Sequence, residues 1–523
     1  MKYVSVSEMI EIEKAADEAG HTYAAMMEAA GKGLAELIRE RYGSQSGMRV
    51  TALVGSGNNG GDALVALDYL IAWGWAAEVI FLRERPVSDP LTKRVADRGV
   101  KLIDFLDPAQ PPLDLQADFA GSDLIIDGVL GTGIKLPLRS PLDLLMGKVK
   151  EVLEGLENKP IIVAVDCPSG VDCDTGQTSP VCLAADLTVT MAAVKAGTLQ
   201  FPAYEYLGEL EMVGIGLPLG LPEFDRITRE IIEKEWVLSR MPGRPPDAHK
   251  GTFGTSLLIA GSEEYPGTAV LAGRSAYRIG SGLVTLAVPQ GIYQGLIKTL
   301  PEATWLVLPE QGGGISAEAS DLIKDAIHKP TACLIGPGFG TRIGTGKFLE
   351  KVLQIEGLPP LVIDADGLRL LSGIPNWQKK IPLDCVLTPH PGEMSVLTGL
   401  AVEEIQGNRV GIAEEYAQRW KQIVLLKGAH SVIAAPDGRT KILISANPAL
   451  ARAGSGDVLA GIITGLVAQG LVSFDAAVAG CWIHARAGEL AEKNRGSSAA
   501  VLAGDISDSI GQVIPSYKNK PAR

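Results

Sequence analysis

A chain of 523 residues is too long for one ordinary core, so two domains are expected. Hydrophobic residues at 46% and charged residues at 21% describe a soluble globular protein. The 48 Lys and Arg against 61 Asp and Glu leave a net charge of −13, which excludes general nucleic-acid binding but leaves room for a local basic pocket.

The acidic, helix-patterned start MKYVSVSEMIEIEKAADEAG is not a secretory signal. No apolar run approaches the roughly 18 residues of a membrane span. Cys167, Cys173, Cys182, Cys333, Cys385 and Cys481 show neither a CxxC pair nor zinc-ligand spacing. Free thiols and a cytoplasmic location are the expectation.

From Ser5 to Arg41, Met9, Ile12, Ala16, Met26, Met27, Ala30, Leu34 and Ile38 recur at helical spacing, with the methionines read as core filling. The apolar run Arg49–Val54 is a buried strand that enters Gly55-Ser56-Gly57-Asn58-Asn59-Gly60-Gly61-Asp62, after which a helix begins at Ala63. Strand, glycine loop and helix form the phosphate-cradle pattern of α/β folds. Two asparagines and an aspartate set it apart from the dinucleotide fingerprint and suggest work on a cation or a polar ligand. A structural turn needs less than this.

Two more buried strands end the same way. Asp123–Asp127 runs into Gly128-Val129-Leu130-Gly131-Thr132-Gly133, and Ile161–Asp166 runs into Cys167-Pro168-Ser169-Gly170-Val171-Asp172. Ligands bind at the carboxyl ends of strands in open α/β sheets. One such Asp could simply cap a loop, but three loops together indicate a shared site.

GSGNNGGD, DGVLGTG and VDCPSGVDCDTG, in this order over residues 1 to about 220, resemble the NAD(P)H-hydrate epimerase family. The resemblance implies a Rossmann-like three-layer sandwich with K+ beside the damaged nicotinamide. It places K+ on Asn59, Asp127 and Ser169. The hydrate would lie along Asn58, Asn59, Gly60, Gly61 and Asp62 and along Gly131, Thr132, Gly133, Ile134, Lys135, Leu136 and Pro137, with Asp166 as acid/base. These residue types suit that task, since a positioned carboxylate moves protons and K+ prefers oxygen ligands. Lys135 and Arg139 could meet ligand phosphates or be plain surface charges. Ala63 stands where this family usually has glycine, and a need for positive φ there would alter the loop.

Two Pro/Gly clusters, at 214–222 and 241–246, flank a segment containing Trp236 and read as a linker. The boundary is placed near Glu230, giving domains 1–229 and 230–523.

Beyond it, strand-loop-helix units recur, as in a doubly wound sheet. Thr255–Ala260 leads to Gly261, Ala332–Ile335 to Gly336-Pro337-Gly338-Phe339-Gly340, and Leu361–Ile363 to Asp364-Ala365-Asp366. Val386–Leu387 leads to Thr388-Pro389-His390-Pro391-Gly392-Glu393, and Ile423–Leu426 to Lys427-Gly428-Ala429-His430-Ser431. Asp364 and Asp366 suit Mg2+ and its water shell, with Glu393 a further candidate. Lys427 could meet a phosphate. His390 is either a satisfied core histidine or, on such a loop, a ligand contact.

The stretch Asn447–Leu466, NPALARAGSGDVLAGIITGL, ends this series. A glycine turn opening a helix aims free N–H groups at one point, which makes an anion site. Asp457 beside it either caps the helix or takes a proton from an attacking hydroxyl.

HKGTFG, IGPGFG, DADGL, TPHPGEM, LLKGAHS and NPALARAGSGDVLAGI together resemble the ADP-dependent NAD(P)H-hydrate dehydratase family, whose domain is similar to ribokinase-like α/β/α kinases. The resemblance implies hydrate contacts at Thr268, Gly338, His390 and Asp457, and contacts to ADP at Lys427, Gly428, Ala429, His430, Ser431 and Gly456. Asp457 would be the base. Arg452 and Ser455 depart from the family's more usual residues without touching the glycines or Asp457.

The reading is therefore an α/β protein of two domains that interconverts R and S hydrates (NADHX and NADPHX) and dehydrates the S form with ADP. It would be a homo-oligomer with no nucleic-acid or membrane partner. A ribokinase-type metabolite kinase would leave the N-terminal half unexplained, while a purely binding N-terminal module would leave Asp166 without a task.

Overall fold

Strand order explains why these loops meet. The computed structural model describes residues 1–43, 47–86, 88–105 and 114–514, and the chain divides into two compact units, Met1–Arg229 and Glu230–Arg523.

In the first unit a seven-stranded sheet runs Lys101–Asp104, Ala76–Phe81, Arg49–Val54, Leu124–Gly128, Ile161–Val165, Leu187–Met191, Glu209–Val213, every pair parallel. The order reverses between Arg49–Val54 and Leu124–Gly128, and that reversal opens the crevice where such sheets bind ligands. Alternate side chains serve two cores. Val50, Ala52 and Val54 pack with the helices Val6–Glu18, Tyr23–Tyr42 and Asn58–Ala72, while Leu53 and Ile125 pack with Leu115–Ala120 and Leu142–Gly155. The period of two, with apolar residues at every position, is what a strand covered on both faces requires.

The N-terminal helical region is two helices separated around Gly20, whose φ is 96°. The helix expected to start at Ala63 begins at Asn58, so Asn58 to Asp62 form its first turn instead of a loop. Gly61 N bonds Gly57 O at 3.2 Å and closes that turn. Eleven of its fifteen residues are buried, and a helix apolar on all sides belongs inside. Ala63 is buried within this helix and is not among the residues with positive φ, so the concern over that position falls away.

The second unit repeats the plan. Its strands run Thr304–Leu308, Leu283–Pro289, Thr255–Ile259, Ala332–Ile335, Leu361–Ile363, Val386–Leu387, Ile423–Leu426, parallel throughout, then Val432–Ala434 and Thr440–Ile442 antiparallel. The order reverses between Thr255–Ile259 and Ala332–Ile335, beside Gly336 to Gly340. Leu258, Leu334 and Val362 share a core with the helices Gly267–Arg278, Ser455–Ala468 and Ser473–Arg495. Thirteen of the fourteen residues of Ser455–Ala468 are buried, Gly456 being the exception. Full burial of each of its Ile and Leu side chains contributes on the order of 1.5–3 kcal/mol, so the helix start is held firmly. No helix among the described residues is long and apolar enough to cross a membrane.

Candidate active sites

The helix Asn58–Ala72 splits its first turn between two tasks. Asn59 faces the sheet, and its Nδ2 donates to Val165 O at 2.5 Å and Leu130 O at 3.2 Å. A Cβ on Gly131 would stand 2.1 Å from Asn59 Oδ1, so only glycine admits the amide there. Asp127, fully buried, accepts from Ser169 Oγ at 2.5 Å and Ser169 N at 2.8 Å. Burial pushes the Asp127 carboxyl up, while the bonds from Ser169 and Val129 pull it down. No cation figures among those influences. Leu130 bonds both Asn59 and Ser169, and Ser169 bonds Asp127, so the three expected ligands form one connected cluster, and no basic side chain among the described residues pairs with Asp127. That chemistry fits a hard monovalent cation.

Asn58 and Asp62, one helical turn apart, share the opposite face and line a cavity of about 140 Å³ with Glu13, Tyr23 and Met191. Asp166 follows the strand Ile161–Val165 with φ 65°, a left-handed conformation that is costly for Asp and concentrates at functional sites. Its Oδ1 accepts from Met191 N at 2.9 Å, from Thr190 Oγ1 at 3.1 Å and from Lys195 Nζ. Lys195 is 1% exposed.

The loop Gly131 to Pro137 is half-exposed, with Lys135 and Arg139 at the surface. Gly131 joins Asn59, whereas Thr132, Gly133, Ile134, Lys135, Leu136 and Pro137 are not among the residues lining the Asn58–Asp62 cavity, and Pro137 borders a separate one with Leu138 and Asp143. Lys195 and Glu13 escaped motif reading. The one available signal for Lys195 was a lone lysine in the apolar run VTMAAVKAG.

In the second unit Gly454, φ 87°, stands at the N-cap and makes no side-chain cap bond, and Asp457 occupies the first turn. Asp457 is thus not the cap of its helix. Burial first, then the charges of Asp364 and Asp366 against the pull of Lys427, raises its carboxyl to about 7. The first-turn N–H groups of Gly456 and Asp457 have no carbonyl partner within the helix.

Lys427, at the end of Ile423–Leu426, places Nζ 2.6 Å from Asp364 Oδ1 and 3.7 Å from Glu393 Oε2. Burial pulls its ammonium down, and Asp364 and Glu393 outweigh that and raise it. A Cβ on Gly456 would lie 3.6 Å from Lys427 Nζ, so helix start and ammonium are neighbours. Thr388 Oγ1 donates to Asp364 Oδ1 at 2.7 Å, and Gly340 N donates to Asp366 Oδ2 at 2.9 Å.

His390 is no core histidine. Its side chain is 46% exposed, and Nδ1 accepts from Gly392 N at 3.0 Å and Glu393 N at 3.3 Å. Burial foremost holds the ring below its usual value. Glu393 Oε2 accepts from His390 N at 2.9 Å, which completes the cap. Among the described residues no three His, Cys, Asp or Glu side chains cluster as a metal cage. Asp364 and Asp366 remain, which suits Mg2+ carried on its waters and nucleotide phosphates.

Gly338, φ 66°, packs against Thr268, whose Oγ1 bonds Tyr265 O at 3.0 Å. Gly428 and Ala429 are exposed. Ser431 Oγ accepts from Gly428 N at 3.2 Å. His430 is buried, and burial with the Arg409 charge pushes it down to about 4, so its ring is neutral. Sequence reading missed Arg409, whose guanidinium donates to Leu426 O at 3.0 Å and Lys427 O at 3.1 Å and fixes that loop. It also missed His484, whose Nε2 stands 3.0 Å from Ser455 Oγ.

Family models match both halves. One described as YjeF-related protein N-terminus covers residues 23–197, and one described as NAD(P)H-hydrate dehydratase covers 256–512. The bifunctional NAD(P)H-hydrate repair enzyme of Moorella thermoacetica is 36% identical over 500 residues, 94% of this chain and 92% of its own. That of Thermofilum pendens is 35% identical over 503 residues, 95% of this chain and 93% of its own. A solved ADP/ATP-dependent NAD(P)H-hydrate dehydratase from Bacillus subtilis, co-crystallised with ATP and Mg2+, is 31% identical, covering 54% of this chain and 97% of that one with a TM-score of 0.48. On the near-full-length identity with these repair enzymes, the chain belongs to the bifunctional NAD(P)H-hydrate repair enzyme family.

Proposed function

We propose that unit Met1–Arg229 epimerises (R)- and (S)-NAD(P)H hydrate, and that unit Glu230–Arg523 dehydrates the S form with ADP. The observation that carries this reading is Asp457: a buried carboxyl tuned to about 7, in a glycine-opened helix start beside Lys427. A base poised near working pH is what abstraction of a hydroxyl proton needs.

Asp457 takes the proton of the C6 hydroxyl, whose oxygen attacks the β-phosphoryl of ADP. The new O–P bond forms as the bond to the α-phosphate oxygen breaks and AMP departs. The N–H groups at Gly456 and Asp457 and the Lys427 ammonium steady the phosphoryl charge. Phosphate then leaves with the C6–O electron pair, pushed by the ring nitrogen, and loss of a C5 proton restores NAD(P)H. His390, Gly338 and Thr268 border the hydrate, and Lys427 to Ser431 with Gly456 border ADP. Asp364 and Asp366 would hold Mg2+ through its waters, which supplies neutralisation of the phosphate charge.

In the first unit Asp166 exchanges the proton, and the hydrate lies along Asn58 to Asp62 and Gly131 to Pro137. Asn59, Asp127 and Ser169 would hold K+, which supplies a fixed positive charge beside Asp127.

Mixed-epimer NADPH hydrate with ADP tests the division of labour by the return of NADPH absorbance. Asp457→Asn should stop dehydration and leave epimerisation intact, and Asp166→Asn should do the reverse. Retained dehydration in Asp457→Asn would refute the assignment of the base.

A further inference from the structure

We propose that Asp62 and Asp166 form the acid–base pair of this unit, Asp62 facing the cavity as proton donor and Asp166 acting as proton acceptor, with Lys195 as the positioning residue that holds Asp166. The proposal rests on the epimerase reading of this unit and names the second proton carrier that reaction needs.

The geometry starts from Lys195. An ammonium has three protons to give. Here its partners are Asp166 Oδ1, Met191 O at 2.9 Å and Thr190 Oγ1 at 3.4 Å. All three directions are used, so no proton of Lys195 is left for Asp62. On Asp166 the three donors Lys195, Thr190 and Met191 all converge on Oδ1, and no described residue donates to Oδ2, the oxygen assigned to receive the proton.

Asp62 stands in the opposite situation. It is 7% exposed and lines the cavity of about 140 Å³ with Asn58, Glu13, Tyr23 and Met191. Met191 is also the residue whose N–H anchors Asp166, so one residue borders both carboxyls. The charged and titratable groups around Asp62 are Glu13, Asp166, Tyr23 and Lys195. Burial, then the charges of Asp166 and Glu13, holds Asp62 well above the usual carboxylate range against the pull of Lys195. Glu13 is raised too, by burial foremost, with Lys195 opposing and Asp166 adding. A buried carboxyl held above its usual range suits the donor, and a carboxylate gripped by an ammonium and two further donors suits the acceptor.

The chemistry balances on this pair. Asp62 gives its proton to the C6 hydroxyl, the C6–O bond breaks and water leaves with its electron pair. The ring-nitrogen lone pair forms N1=C6, and the resulting cation sits beside two carboxylates. Water adds to the other face of C6, the N1=C6 pair returns to nitrogen, and Asp166 Oδ2 takes the released proton. The reverse direction runs the same steps backward. Exchange with solvent at the cavity, where Glu13 stands, resets the pair.

The test follows epimerisation of a single NADPH-hydrate epimer against pH in oxygen-18 water, using the full chain and its variants. The unsubstituted chain should lose turnover on the alkaline side as Asp62 gives up its proton, and each epimerisation should carry one solvent oxygen into the product. Asp62→Asn, which preserves shape, should lower kcat by roughly 10²–10⁴ with little change in KM and should remove the alkaline limb. Lys195→Met should move the acid limb to higher pH, and Lys195→Arg should restore part of the loss. An Asp62→Asn variant with unreduced kcat and the alkaline limb in place overturns the pair alone, as does epimerisation without label uptake. An unsubstituted chain that epimerises nothing overturns the epimerase reading along with it.

Discussion

Nζ of Lys427 stands 2.6 Å from Oδ1 of Asp364, and through that pair the lysine governs a third residue, Asp457. Asp364 raises the Asp457 carboxyl, and Lys427 lowers it. Removing the ammonium leaves Asp364 uncompensated and takes a positive charge from the phosphoryl path. Lys427→Met should therefore reduce dehydratase kcat/KM for ADP by roughly 10²–10³, the scale of losing one preorganised charge donor. Epimerisation measured on the same preparation should be unchanged.

Dehydration should follow the ionisation of Asp457. As a base it works only without its proton, so the rate should rise with pH through about 7 and level above it. A pH–rate profile of kcat/KM checks this, and a profile flat from pH 5 to 8, about two units below and one above, contradicts it.

The same shift sets a stability cost. The folded state binds the Asp457 proton more tightly than the unfolded chain, so stability is lost as pH rises from about 4 to about 7. At about 1.4 kcal/mol per unit, the penalty above that window is at most on the order of 4 kcal/mol. Asp457→Asn should melt several degrees higher than the parent in mildly alkaline buffer, although its dehydratase activity is gone. Thermal denaturation at two pH values measures the difference, which should shrink in acid.

Asp127 predicts a cation effect that needs no assay of turnover. It is fully buried and its carboxyl is raised by burial, so an ion seated on Asn59, Asp127 and Ser169 should stabilise the folded unit. At ten times its dissociation constant that amounts to about 1.4 kcal/mol. Potassium should raise Tm above lithium at equal ionic strength, and Asp127→Asn should remove the difference.

At Gly338 the backbone lies at φ 66°, and an added Cβ would meet Thr268 Oγ1 at 2.4 Å. Gly338→Ala should raise KM for the hydrate at least about tenfold through the displaced loop and cost roughly 1 kcal/mol or more in backbone strain. Steady-state kinetics of dehydration with epimerisation as the internal control separates this local effect from unfolding.

The strand-end loops could be read from sequence because two physical signals coincide there: apolar runs of strand length, then a carboxylate and glycines within a few residues of each other. That is how the sequence points to Asn59, Asp127, Asp166, Asp364 and Asp457 as candidate site residues. Pairing across the fold leaves no such trace. Lys195 meets Asp166 from 29 residues away, and Arg409 reaches the carbonyl of Lys427 from 18. Glu13 enters the cavity from a helix whose pattern announces only an amphipathic surface. Helix starts were also placed too late. Asn58 and Ser455 already lie in the first turn, because glycine-rich segments score poorly as helix and tertiary burial overrides that propensity. The cap that Glu393 forms with His390 through Oε2 is likewise a tertiary feature that composition does not show.

The central claim is that one chain carries two successive activities, and purified (R)-NADPH hydrate incubated with ADP, Mg2+ and K+ tests it most directly. The epimer that cannot be dehydrated as supplied should return to NADPH completely, with one AMP and one phosphate for each molecule recovered. Recovery from the S epimer alone, with the R epimer left untouched, would contradict it.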